Sequence, residues 1–297
     1  MITKRGLVPL LISLAILGCN KKESPTEPQV NNTPTIERIV VNPSEPFMNE
    51  EVTLECRARD ENNNELSYDW RCDGGYFNNI DKKQVIWNAP NSTGEYHITA
   101  KVEDPEGKSA SRTEELKVTS RFDTAYVVGD GYVDSERPDF ISQRDESDVL
   151  SLIHWFGTDR SNTAYLKFIM DNIEGNVKSA RLLLDVIGGS GSIENPSFYL
   201  HEASQSWSEY AISYNNQPAI NLNPEYHFNL PWDNRNVDTV SFDITSLAKK
   251  WISSPSQNKG FCLKPSLQMD GGYSFTSKEA TNWPWTQPPR IIVEKEH

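Results

Sequence analysis

The sequence predicts an all-β protein built of two successive β-sandwiches, and three observations carry that prediction. Short segments rich in Val, Ile, Thr, Tyr and Phe alternate apolar with polar residues, as half-buried strands do. Asn, Gly, Asp and Pro punctuate them at turn-like intervals, and apart from short stretches such as Ile244–Ile252 little reads as helix. About 260 residues follow a polar N-terminal stretch, enough for two cores.

The N-terminus comes before either core. Lys4 and Arg5 precede a mostly apolar run, Leu7–Leu17. That run matches a secretory h-region of roughly 7–15 residues and falls short of the about 20 needed to span a bilayer. The residues Ile16, Leu17, Gly18 and Cys19 resemble the lipobox of bacterial lipoproteins. The resemblance implies removal of residues 1–18 and lipidation of Cys19, a membrane anchor gaining about 0.8 kcal/mol per buried CH₂. Residues 19–34 are polar and contain three prolines, which predicts an extended linker. Asn20, rather than Asp, follows the cysteine, so an outer-membrane destination is expected, on either its periplasmic or its external face.

Charge excludes some partners. With Lys4 and Arg5 removed, the 29 basic residues become 27 against 42 acidic ones, a net charge of −15. Nucleic acid and anionic lipid headgroups bind clustered Lys and Arg, so neither is an expected partner.

The first unit is expected over residues 35–119. Val52, Leu54, Cys56 and Ala58 share one face of a strand, and Leu66, Tyr68, Trp70 and Cys72 share one face of the next. Residues 60–64, Asp-Glu-Asn-Asn-Asn, supply turn chemistry between them. Together with Gly74–Phe77, Trp87–Pro90 and Gly94–Asp104, the segment resembles the PKD/immunoglobulin-like family, which implies a fold and little about function. Cys56 and Cys72 occupy the inward phase of what read as neighbouring strands, in a chain expected to mature outside the cytoplasm. A disulfide between them is expected, worth about 3 kcal/mol in the chain-entropy model; metal ligation is the alternative, though no His or second Cys pair accompanies them. Trp70 is expected in the core.

The second unit is expected over residues 122–296. Its landmarks are Thr163–Phe168, Val177–Val186, Trp207–Pro218, Val240–Trp251, Asn258–Lys264, Phe275–Ala280 and Pro288–Val293. In this order they resemble the DNRLRE domain family, which overlaps carbohydrate-binding module family 96, known for alginate binding. The Trp207-Ser208-Glu209 … Asn216-Gln217-Pro218 block is the most specific part, and Tyr214 for Trp, Ile169-Met170 for Asp-Leu and Lys278 for Arg are departures. The resemblance implies a jelly-roll-like sandwich used for glycan binding or adhesion, and no chemistry.

The residues themselves divide between core and surface. Trp207, Trp251 and Phe242 read as core, Asn215–Pro218 as a packed corner, and Asp243 or Thr245 as the cap of a short helix. Trp155, Trp232, Trp283 and Trp285 fall where alternation does not explain them, and aromatic planes stack on the apolar faces of sugar rings. Arg144, Arg160, Lys167 and Arg235 are the cations expected to meet a carboxylated sugar, so the expected partner is a polysaccharide, with uronate units as one option. The unit itself holds 14 basic and 23 acidic residues, which weighs against a polyuronate unless the cations cluster or calcium bridges the two. Asp130, Asp134, Asp145 and Asp148 are candidate oxygen ligands for a structural calcium ion, without EF-hand spacing; an acidic solvated loop is the alternative.

No catalytic signature appears. The five histidines have no zinc spacing and no partnered Ser or Cys motif, and neither G-x-S-x-G nor a P-loop is present. Cys262, in an apolar strand, reads as a buried free thiol. The sequence thus points to a non-enzymatic, lipid-anchored polysaccharide binder; a structural or adhesive lipoprotein contacting protein partners, and a polysaccharide lyase or hydrolase, are the alternatives.

Overall fold

Alternation becomes burial in the first strands. The computed structural model describes residues 30–145, 149–155, 158, 160–191, 197–222, 226–229, 238–267, 270–280 and 286–297. Seven strands form the first sandwich: β1 (Thr35–Asn42), β2 (Glu51–Arg59), β3 (Ser67–Cys72), β4 (Tyr76–Phe77), β5 (Gln84–Asn88), β6 (Gly94–Glu103) and β7 (Ser109–Val118). One sheet runs β1-β2-β5-β4 and the other β3-β6-β7. Val52, Leu54 and Cys56 of β2 are fully buried, and they meet Trp70, Trp87, Ile98, Ala100 and Val102 in one core. The two indoles satisfy their N–H groups on backbone: Trp70 Nε1 donates to Lys82 O at 2.8 Å and Trp87 Nε1 to Gly74 O at 2.9 Å.

The structure corrects the expected Cys56–Cys72 disulfide. Both cysteines are free. Both do face the core, but from opposite sheets, because the Asp60–Asn64 turn carries the chain across the sandwich and does not close a hairpin. In that turn Asp60 Oδ1 accepts Asn62 N–H at 2.8 Å, and Asn63 takes φ +60°. The Cys72 thiol donates to Gly75 O at 3.8 Å, and burial pushes the Cys56 thiol up to about 11. We predict that a reductant leaves the thermal unfolding of this sandwich unchanged, and that Cys56 resists alkylation until the chain unfolds. Protection of both thiols in the denatured, unreduced protein would contradict this.

The second sandwich contains β8 (Phe122–Asp134), β9 (Val149–His154), β10 (Asn162–Phe168), β11 (Asn176–Gly191), β12 (Ser197–Glu202), β13 (Tyr226–Asn229), β14 (Asp238–Asp243), α1 (Thr245–Ser253), β15 (Phe261–Pro265), β16 (Gly271–Thr276) and β17 (Arg290–Glu296). The strand order is β13-β12-β15-β10-β8-β17-β11-β16-β9, with β14 also paired to β11. Two long strands change partners along their length. β8 pairs β17 through residues 122–126 and β10 through 127–134, while β11 pairs β17 at its start and β16 at its end. Ladders thereby join the two faces around a core of Leu150, Leu152, Leu166, Phe168, Leu182, Phe198, Phe261, Phe275 and Ile291.

Helix α1 seals this core with Leu247, Ala248 and Trp251. Trp251 packs on Phe261 at 4.6 Å and donates Nε1 to Glu202 Oε1 at 2.9 Å. Ile244, not Asp243 or Thr245, holds the N-cap position. Asp243 still serves the helix start, since its Oδ1 accepts the Thr245 N–H at 2.9 Å and the Thr245 hydroxyl at 2.6 Å. Among the described residues no helix is long and apolar enough to cross a membrane.

The two sandwiches touch. The His297 ring stacks on Phe47 at 4.3 Å, and its Nε2 lies 2.8 Å from Glu50 Oε1.

Candidate functional site

The most specific sequence block is a packed corner. After β12 the chain crosses the outward face of its sheet, and Trp207, Ile212 and Ile220 cover Val133, Tyr165 and Cys262. Trp207 meets Tyr165 edge-on at 5.8 Å and donates Nε1 to Lys259 O at 2.8 Å. The Tyr165 hydroxyl donates to Gln217 Oε1 at 3.1 Å, and Asn216 Oδ1 accepts the Ser213 N–H at 2.6 Å. Burial pushes the Cys262 thiol up to about 12, as befits an inert buried sulfur. The amides of Asn216 and Gln217 therefore serve this chain's own groups.

Glu209, in the same block, enters a charged cluster that the sequence does not announce. Lys278 Nζ lies 2.8 Å from Glu209 Oε1 and 2.6 Å from Glu279 Oε1. Fully buried Asp130 lies beside them, accepting the Gln143 amide and the Lys278 backbone N–H, each at 2.6 Å. Glu209 Oε2 accepts the Asp130 N–H at 3.1 Å. Burial pushes the Asp130 carboxyl up to about 7, against the pull of those donors. At Lys278 burial opposes the charge, but the hydrogen bonds it donates to both glutamates outweigh it and hold the ammonium above its usual range.

Asp130, Glu209 and Glu279 bring ligand atoms within 4.8 Å of one another, and the single Lys278 ammonium pairs with both glutamates. Of the expected aspartate set, Asp130 and Asp134 have separate partners within the fold. Asp134 is fully buried and accepts Arg137 at 2.9 Å and Arg160 at 3.4 Å, while Asp130 has the separate partners given above. Asp145 and Arg144 lie on the 3-10 turn Ser142–Asp145, and Asp148 lies outside the described residues.

The expected sugar contacts fare unevenly. Arg160 is tied to Asp134 and Glu136, the latter at 3.4 Å. Lys167 is half-buried on β10 and has no ion-pair partner among the described residues. Trp155 follows β9, half-buried, its N–H donating to Arg160 O at 3.3 Å. Trp232, Trp283, Trp285, Arg235 and the anchor Cys19 lie outside the described residues. Arg290 is likewise committed internally, 3.3 Å from an Asp185 that also accepts the Thr239 hydroxyl and the Gln287 N–H.

A cleft of about 360 Å³ opens where β9, β16 and the end of β11 meet. Leu150 and Leu152 of β9 and Tyr273 and Phe275 of β16 face the core, so Val149, Ile153, Gly272 and Ser274 face away from it. Ile187, Gly188 and Gly189 of β11 complete the lining. The glycines act differently. A Cβ on Gly272 would meet Ile153 Cγ1 at 2.6 Å and Leu152 O at 2.8 Å, so glycine is required for the strands to pack. A Cβ on exposed Gly188 would meet nothing within 4 Å among the described residues, which leaves bare backbone at the cleft. Sequence reasoning passed over this cleft; its signal was the glycine pairs 188–189 and 271–272 inside otherwise well-patterned strands.

Among curated proteins none matches the chain. Solved structures that the chain matches include carbohydrate-binding modules of the β-sandwich superfamily with promiscuous specificity, at 15% identity over 89% of this chain and 97% of the other, TM-score 0.29. A second is the Bacteroides ovatus SGBP-B of a mixed-linkage glucan utilization locus, bound to a mixed-linkage heptasaccharide, at 13% identity, 84% and 50% coverage and TM-score 0.23. A third, a Saccharophagus degradans nucleoside hydrolase-related protein associated with carbohydrate metabolism, is 18% identical over 30% of this chain, with TM-score 0.25. The chain spans about a quarter of that third protein and half of the second. The model of carbohydrate-binding module family 96 matches residues 124–290, the whole span from the first strand of the second sandwich to the Pro289–Arg290 pair. By that match, over more than half its length, the chain belongs to carbohydrate-binding module family 96.

Proposed function

We propose that this chain is a lipid-anchored, non-catalytic envelope protein that holds polysaccharide in the outward cleft of its second sandwich. The observation that carries the site is the cleft itself. Its apolar walls, Val149, Ile153 and Ile187, suit the C–H faces of a sugar, and its exposed backbone and Ser274 suit hydroxyls. Family membership supports polysaccharide as the ligand. The lining is uncharged, and Arg160, Lys278 and Arg290 are held by carboxylates of the fold. A neutral glycan therefore fits this cleft better than a polyuronate.

Burial argues against acid–base chemistry at the charged cluster. Asp130 has a raised pKa, yet it is fully buried with both oxygens hydrogen-bonded, and Glu209 and Glu279 are tied to Lys278. The first sandwich, of PKD/immunoglobulin-like kind, serves as a spacer, and diacylglyceryl-modified Cys19 serves as the anchor, placed on the outer membrane. Affinity electrophoresis of the soluble chain lacking residues 1–19 through a panel of neutral and acidic polysaccharides tests the reading. Retardation by at least one neutral glycan, with no new reducing ends or unsaturated products, is expected. Free migration through every gel would overturn it, and product release would replace it with an enzyme.

A further inference from the structure

We infer that the first sandwich binds a calcium ion at the end where the chain enters it, through Asp60, Asp104 and Asn31. None of the three belongs to the aspartate set that the sequence suggested. Asp60 directly follows β2, Asp104 directly follows β6, and residues 30–34 lead into β1, so three separate segments meet at one end of the two sheets. Hydrogen bonds join them. Asn31 Nδ2 donates to Asp104 Oδ2 at 2.8 Å, and Asn31 Oδ1 accepts Asn64 Nδ2 at 3.2 Å. The Asn64 N–H in turn donates to Asp60 Oδ1 at 3.4 Å, and the Asn32 N–H to Asn62 Oδ1 at 2.6 Å.

The observation that points to a ligand is Asp60 Oδ2. Asp60 is 8% exposed, and this oxygen is buried with no hydrogen-bond donor among the described residues. Its companion Oδ1 is occupied by the turn, accepting the Asn62 N–H at 2.8 Å as well as that of Asn64. A buried acceptor left without a donor costs about 1–3 kcal/mol, and more when it is charged. Asp104, 4% exposed, is the second carboxylate here, and its Oδ1 accepts the Lys108 N–H at 2.8 Å. Lys108 gives its ammonium to Asn31 O at 2.7 Å, and among the described residues neither aspartate has an ion-pair partner. Glu209 and Glu279 differ in this respect, since they share Lys278.

Chemistry selects the cation. Asp60, Asp104 and Asn31 offer carboxylate and amide oxygens, without histidine or cysteine, which suits a hard ion and not zinc. Calcium takes about six to eight such oxygens in flexible geometry, water and backbone carbonyls included, whereas magnesium demands a near-ideal octahedron. Donors spread over two turns and an entering segment match the more tolerant ion. Turning the Asn31 amide over exchanges Nδ2 for Oδ1 beside Asp104 Oδ2, which presents an oxygen where a donor now stands. A bound ion fastens the entering segment to both turns. Under the anchoring reading above, that segment is the end of the tether, and calcium then sets how stiffly the first sandwich stands on its anchor. The site itself does not depend on that reading.

The test is isothermal titration of calcium chloride, and separately magnesium chloride, into the chelator-treated soluble chain lacking residues 1–19, as wild type, Asp60→Asn and Glu209→Gln. Asparagine at position 60 keeps Oδ1 for the turn and removes the charge. The wild type is expected to bind calcium with a dissociation constant on the order of 10⁻⁴–10⁻³ M, as extracellular modules do, and magnesium about tenfold more weakly. Asp60→Asn is expected to lose about tenfold or more in calcium affinity, and Glu209→Gln to keep it. In the wild type, calcium is expected to shift the backbone amide resonances of Asn32, Asn62, Asn64 and Lys108, which locates the ion even if Asp60→Asn fails to fold. No wild-type binding at about 10 mM calcium, well above that range, overturns the site. So does full affinity in a folded Asp60→Asn, or shifts confined to the second sandwich, which would place the ion beside Lys278. Polysaccharide binding by the second sandwich stands or falls separately.

Discussion

Lys278→Met unfolds the second sandwich at temperatures the native protein withstands, with an expected loss of about 3–5 kcal/mol. The methionine keeps most of the length of the side chain and removes its charge and its hydrogen-bond donors. Glu209 and Glu279 would then face each other and Asp130 with no cation between them, in a site where the Glu209 side chain is 11% exposed and that of Lys278 20%. Lys278→Arg, which keeps the charge, is expected to retain most of the stability. Calorimetry on the three proteins decides: a methionine variant as stable as the arginine one would show that the cluster contributes nothing.

The same cluster sets a pH dependence with a definite sign. Asp130 ionises near its ordinary 3.8 in the unfolded chain and near 7 in the fold. The fold thus holds a proton that the unfolded chain releases. The stabilisation from this proton is complete below about pH 4 and is lost as pH rises to about 7, at roughly 1.4 kcal/mol per pH unit at most. Asp130→Asn is expected to flatten that stretch of the stability profile, and an unchanged slope would contradict the assignment.

Gly188→Phe abolishes glycan binding with the fold intact. A Cβ at this position meets nothing within 4 Å among the described residues, so the ring has room to enter the cleft and occupy it. The expected loss is tenfold or more, equivalent to about 1.4 kcal/mol, with an unchanged melting temperature. Gly272→Ala gives the contrasting outcome, since its Cβ would run into Ile153 and the Leu152 carbonyl. It is expected to lower stability directly. Normal binding by Gly188→Phe would move the site elsewhere.

Much of the fold was legible because alternation reports burial wherever one face of a strand meets a core. Val52, Leu54 and Cys56 were assigned by phase alone and are fully buried, as are Trp70 and Trp251 to within 1%. Phase does not report which sheet a strand joins. Polar turns close hairpins and also carry chains across sandwiches, and for that reason Cys56 and Cys72 face the same core from different sheets. The Asn215–Pro218 corner was readable because amides near a tryptophan have local work to do. The Asp130–Glu209–Lys278–Glu279 cluster was not, since its members lie on separate segments and meet only after the strands pair. Aromatic and charged residues placed the expected sugar contacts in loops, whereas the proposed cleft is lined by aliphatic side chains, glycine and serine on strand faces.

The central claim is that a glycan occupies the cleft between β9, β16 and β11. The most direct measurement is a backbone amide titration by nuclear magnetic resonance, adding a neutral oligosaccharide that the protein retains. The largest shifts are predicted at Ile187, Gly188, Gly189, Gly272 and Ser274. Shifts confined to the first sandwich, or none near these residues with binding present, would contradict the account.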